Sequence, residues 1–108
     1  MNFKTLAESI GFQEIEFLKN VGLFVRDVAT DLTEIEVAIG EDNMQRVIKG
    51  AHSIKRAAVN LGLMDIYEAA KKMDLYAKKN RIKEAEESIK KIREKINLIA
   101  QGLENRNR

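Results

Sequence analysis

Residues 85–103, AEESIKKIREKINLIAQGL, place Ala85, Ile89, Ile92, Ile96, Ile99 and Leu103 at alternating spacings of four and three, with Lys, Glu and Arg at most of the positions between them as far as Lys95. That alternation follows the turn of an α-helix and gathers the apolar side chains on one stripe. A helix with one apolar stripe cannot bury it alone, so partner helices are required.

The partners are found by reading back toward the N-terminus. Asn80 can cap this last helix, and before it Ile66, Ala69, Ala70, Met73 and Ala77 repeat the helical spacing behind a start signal at Asp65 and Glu68. Earlier still, Met44, Val47, Ala51, Ile54, Ala58 and Leu61 form a third stripe that ends at Gly62. Asp42 and Gln45 make a capping box for a helix beginning near Asn43, and Gly40 is positioned as the left-handed stop of the helix before it.

That preceding helix is predicted from about Gln13 to Ile39. In it Leu18, Val25, Leu32 and Ile39 recur every seven residues, with Ile15, Gly22, Val28 and Ile35 between them. A leader with a Thr5/Glu8 capping box, closed by Gly11, is expected to lid one end. Short connections force consecutive helices to run antiparallel. The expected fold is therefore all-α, an up-down-up-down four-helix bundle with a short N-terminal leader helix.

Composition agrees and excludes several functions. At 108 residues the chain has the size of one domain, 1–108, with a polar tail from about 104 that is expected to fray. Apolar residues at 44% are too many for a disordered chain, and the lack of proline leaves the helices uninterrupted. With 19 basic and 17 acidic residues, the charge of +2 is too balanced to imply nucleic-acid binding. No run approaches the roughly 20 apolar residues of a membrane span, and no export signal is recognisable. The expected location is the cytoplasm.

Chemistry converges on one residue. With one histidine and no cysteine, the chain cannot build a His-cluster or Cys/His metal site or a Cys/His nucleophile pair. Gly50 and Gly62 do not form a phosphate-binding loop, and pairs such as Glu34/Glu36 and Glu86/Glu87 read as solvated helix faces. His52 projects roughly 140° away from the buried stripe of its helix, on a turn of about 100° per residue. Ile48 and Val59 flank it, while Lys55 and Arg56, three and four residues on, bring positive charge to anything attached to the imidazole. By spacing alone a lone helical histidine is more often an ordinary surface residue; exposed aliphatics backed by cations instead suit a docking patch around an anion.

The stretch Ala51-His52-Ser53-Ile54-Lys55-Arg56-Ala57-Ala58-Val59-Asn60-Leu61-Gly62 resembles the signature of histidine phosphotransfer domains, the shuttle modules of two-component phosphorelays. The resemblance extends from the leader and Gly11-Phe12 through Phe24-Val25 to the final helix. It implies that His52 accepts a phosphoryl group from one receiver aspartate and passes it to another, through an outward-facing Nε2. It further implies that Lys55 stabilises charge on the phosphoryl oxygens, and that Asn60 and Gly62 shape the turn beyond. Ile48, Lys49, Arg56 and Val59 are the expected partner-docking residues.

The implied protein is a phosphocarrier without kinase activity, monomeric, holding no cofactor or metal of its own. Mg²⁺ would come from the partner receiver. Expected partners are response-regulator receiver domains and a histidine kinase or hybrid kinase, with neither nucleic acid nor membrane. Arg56 departs from the pattern, because the family usually has glycine there, one turn from the histidine. The guanidinium could grip the phosphoryl group or obstruct the receiver. The alternative is therefore a degenerate module that binds receivers without efficient transfer.

Overall fold

A computed structural model describes residues 2–10 and 13–106, which form five α-helices: α1 (Phe3–Ile10), α2 (Glu14–Gly40), α3 (Met44–Asn60), α4 (Met64–Lys78) and α5 (Ile82–Arg106). The last four pack in a ring, α2 on α3, α3 on α4, α4 on α5 and α5 back on α2. The fold is the expected antiparallel bundle. Its long dimension of 41 Å matches α2, whose 27 residues at about 1.5 Å each span about 40 Å.

The turns explain why the helices reverse so tightly. In each, one residue adopts the left-handed conformation: Asp42 at φ 56°, Gly62 at φ 71° and Asn80 at φ 55°. The next residue then donates its N–H to a carbonyl five residues back, Asn43 to Ala38, Leu63 to Ala58 and Arg81 to Tyr76, at 2.8 to 2.9 Å. These are Schellman closures, which satisfy the final carbonyls of one helix while aiming the chain into the next. Gly62 acts as expected. Gly40, however, is the last helical residue of α2, and Asp42 takes the left-handed position. Consequently Asn43, not Asp42, caps α3, its side chain accepting from Arg46 N–H at 3.2 Å.

The leader differs in a similar way. Asn2 accepts from Thr5 N–H at 3.1 Å and caps α1, leaving Thr5 inside the helix. The Gly11 stop and Phe12 lie outside the described residues. Helix α1 packs on α2, with the Phe3 and Phe17 ring centroids 6.5 Å apart, and Phe3 also faces Gly102 of α5. It closes one end of the bundle. Helix α5 continues to Arg106, which pairs with Glu14.

The core is built from the expected stripes of α3, α4 and α5, with one rotation on α2. There the buried set is Phe17, Val21, Phe24, Val28, Leu32, Ile35 and Ala38. Leu18, Val25 and Ile39 only flank it, and Ile15 is 82% exposed. The buried residues keep the seven-residue period in another phase, Phe17 and Phe24 on one line and Val21, Val28 and Ile35 on the next, so the line through Leu18 and Val25 runs along the edge of the core. Where α3 crosses α2 the Ile35 side chain fills the space at Gly50: a Cβ there would lie 2.5 Å from Ile35 Cγ1. Gly50 thus sets the separation of α2 and α3 half a turn before His52. Among the described residues, no helix is long and apolar enough to cross a membrane.

Candidate functional site

Position 52 lies in the middle of α3, between the buried residues Ala51 and Ile54, so its side chain leaves the core stripe. The imidazole is 46% exposed, and it leans toward α4. Its Nε2 lies 3.0 Å from Oδ2 of Asp74, a residue that is 6% exposed. The expectation that Nε2 faces outward therefore does not hold. A carboxylate can only accept, so Nε2 carries a proton in this arrangement, and in the neutral ring the lone pair then resides on Nδ1.

Asp74 gathers two further donors on the same oxygen. Lys55 Nζ lies at 3.1 Å and Lys78 Nζ, one turn along α4, at 3.4 Å. Burial pushes the Asp74 carboxyl up, but the hydrogen bonds from Lys55 and His52, with the charges of both, more than offset it and hold the group below its ordinary value. Two ammonium groups around one carboxylate leave an excess positive charge beside the imidazole. The second oxygen, Oδ1, is buried without a hydrogen-bond partner among the described residues.

Around this cluster, His52, Lys55, Arg56, Val59, Asn60 and Tyr67 line one shallow depression. Val59 is 47% exposed, and Arg56 is exposed without an ion pair among the described residues. Ile48 and Lys49 lie one turn earlier, outside the depression; Ile48 is half-buried against the core and Lys49 is exposed. The neighbouring Ser53 turns the other way, donating to Asp31 of α2 at 3.3 Å. Burial raises the Asp31 carboxyl, with Glu34 and Asp27 adding to the effect and the Ser53 hydrogen bond opposing it. No group of three or more His, Cys, Asp or Glu able to hold a metal occurs among the described residues.

Asp74, Lys78 and Tyr67 were not singled out from the sequence. Asp74 left a trace, because it sits four residues after Ala70 and three before Ala77, on the apolar stripe of α4. An acid at a stripe position implies a buried partner, since burying a carboxylate unpaired is costly. Lys78 and Tyr67 left none.

The family model of the Hpt domain matches residues 19–104, from the first third of α2 nearly to the end of α5. The chain belongs to this family, the histidine phosphotransfer domains of two-component phosphorelays. Domains of this class are phosphocarriers without kinase activity of their own, working with receiver domains and kinases. No curated protein and no solved structure matches the chain.

Proposed function

We propose that this chain is a phosphorelay intermediate in which His52 accepts a phosphoryl group from the aspartyl phosphate of one receiver domain and passes it to another. The observation that carries this reading is a single histidine, half-exposed on a bundle helix, with two lysines within reach of its neighbourhood. In the forward step the imidazole lone pair attacks phosphorus, an N–P bond forms, and the acyl O–P bond breaks. The receiver's carboxylate departs and the ring becomes cationic until it sheds its remaining N–H proton. Alignment and charge stabilisation dominate such a reaction, and the receiver would supply Mg²⁺.

In this proposal Lys55 stabilises the phosphoryl oxygens, which requires its ammonium to share itself between Asp74 and the incoming group. Lys78 keeps Asp74 compensated when it does. Ile48, Lys49, Arg56 and Val59 contact the receiver, Val59 supplying apolar area and the cations meeting its acidic site. For Nε2 to take the group the ring must turn off Asp74, by rotation about Cβ–Cγ, and its proton must pass through solvent from Nε2 to Nδ1, so that the lone pair stands on Nε2.

Arg56 supports a second reading, a module that docks receivers but transfers poorly, because this cation lines the same depression as His52. Incubation with phosphorylated receivers separates the two. Transfer gives an acid-labile, base-stable label on this chain, lost in His52→Gln; docking without label marks the binder.

A further inference from the structure

Helix α2 carries apolar residues on two sides, and the core accounts for one of them. Ile15, Lys19, Leu23, Arg26, Thr30, Thr33 and Val37 follow one another at spacings of four and three, on a line that points about 170° away from the mean direction of the buried set. Ile15 is 82% exposed, Val37 49% and Leu23 42%, so three of the seven large apolar side chains exposed among the described residues stand on this one line. The two threonines extend it. Thr30 Oγ1 donates to the Arg26 carbonyl at 3.2 Å and Thr33 Oγ1 to the Ala29 carbonyl at 3.1 Å, which turns both hydroxyls back on the helix and leaves the methyl groups to the surface.

Charge on α2 is divided in the same way. Glu14, Glu36 and Glu41 pair with Arg106, Arg93 and Arg46 of the chain itself. Lys19, Arg26, Asp27 and Glu34 are exposed and have no ion pair among the described residues. The Asp31 carboxyl, raised first by burial, is raised further by Glu34 and Asp27, so the negative charge on that flank is uncompensated.

We propose that the outer face of α2 docks a second copy of this chain, the two α2 helices lying antiparallel about a twofold axis level with Arg26 and Asp27. In that arrangement Arg26 of each copy comes level with Asp27 of the other, Lys19 with Glu34 and Leu23 with Thr30, while Ile15 covers Val37. The unpaired cations thus meet the unpaired acids, and the exposed apolar groups cover one another. A parallel pair would set Lys19 on Lys19 and Arg26 on Arg26, so charge selects the antiparallel one. The pattern is complementary to its own reverse, which is the property of a face that binds itself across a twofold axis. The depression around His52 is built from α3 and α4, so pairing through α2 leaves it open on both copies. The dimer replaces the monomer expected from the resemblance, and it does not depend on phosphotransfer.

Sedimentation equilibrium of the full chain tests it. In about 50 mM salt, where exposed charges are only partly screened, the mass is expected to rise from 12.3 kDa toward twice that value between about 1 µM and 1 mM protein. Leu23→Lys is expected to abolish association with helix content unchanged in circular dichroism. Lys19→Glu and Glu34→Lys are each expected to weaken the dimer about ten-fold, and the double variant to recover it. The two residues stand about 22 Å apart along one helix and do not meet within a chain, so recovery comes from contact between copies. A monomer at every concentration would overturn the proposal, as would a dimer indifferent to Leu23→Lys. Single charge reversals that weaken the dimer, with no recovery in the double variant, would overturn the antiparallel arrangement.

Discussion

His52 on α3 and Asp74 on α4 meet across 3.0 Å, and that contact joins an exposed imidazole to a buried carboxylate. The contact joins two neighbouring helices, so the orientation of the ring depends on how α3 and α4 are held together. Gly62 at the connecting turn and Gly50 at the α2 crossing both contribute to that placement.

Lys55 is expected to matter in two ways that one substitution can separate. Its side chain is only 23% exposed and pairs with Asp74, so Lys55→Met removes a charge-assisted hydrogen bond worth about 1.5–3 kcal/mol. Chemical denaturation should register a loss of that order, partly offset by Lys78, while acceptance from a phosphorylated receiver falls by about ten-fold or more. A stable variant with undiminished acceptance would show that Lys55 serves the fold alone.

The Asp74 carboxyl, held below its ordinary value, makes stability depend on acidity in a definite direction. A depressed carboxylate stabilises the folded state above the unfolded value of about 3.9 and loses that contribution as pH falls through its lower folded value. Wild type should therefore lead Asp74→Asn in thermal midpoint at about pH 6. The lead should shrink as pH drops below about 4. A gap that widens with acid would contradict the pairing.

Gly50→Ala is expected to destabilise the bundle, because the new Cβ would fall 2.5 Å from Cγ1 and 2.7 Å from Cδ1 of Ile35, which is 1% exposed. Overpacking of this kind costs about 1–3 kcal/mol, against about 1 kcal/mol gained in helix propensity. Thermal unfolding of Gly50→Ala in the wild-type and in the Ile35→Ala background checks it, since alanine removes both Cγ1 and Cδ1. Relief by the smaller partner identifies the clash, and no relief would place the cause elsewhere.

Most of this architecture was legible in the sequence, and the exceptions have physical causes. The stripes of α3, α4 and α5 are short enough for spacing to identify the buried face, and Gly62 marks a turn that needs a left-handed residue. On the 27-residue α2 the repeat of Leu18, Val25, Leu32 and Ile39 misled, because Phe17 with Phe24, and Val21 with Val28 and Ile35, keep the same period, and spacing alone does not say which of these lines faces the core. Asp42 replaced Gly40 in the left-handed position because Asp tolerates that conformation and Gly40 can remain helical. The exposure of His52 followed from its helix alone. The direction of Nε2 depended on a carboxylate 22 residues away, which no local pattern encodes.

Arg56 is expected to tune transfer. Exposed and unpaired among the described residues, it can swing toward the phosphoryl group or into the path of the receiver at a modest entropic cost. Arg56→Gly should change the transfer rate, and by different factors for different receivers. Equal rates for wild type and variant with every receiver tried would remove Arg56 from the account.

The central claim is that His52 carries the phosphoryl group. Its most direct test is to incubate the chain with several radiolabelled, phosphorylated receiver domains and to follow acid-labile, base-stable label on wild type and on His52→Gln. Label on wild type and none on a folded His52→Gln is the predicted result. Label that persists in His52→Gln, or no label from any receiver that binds the chain, would contradict it.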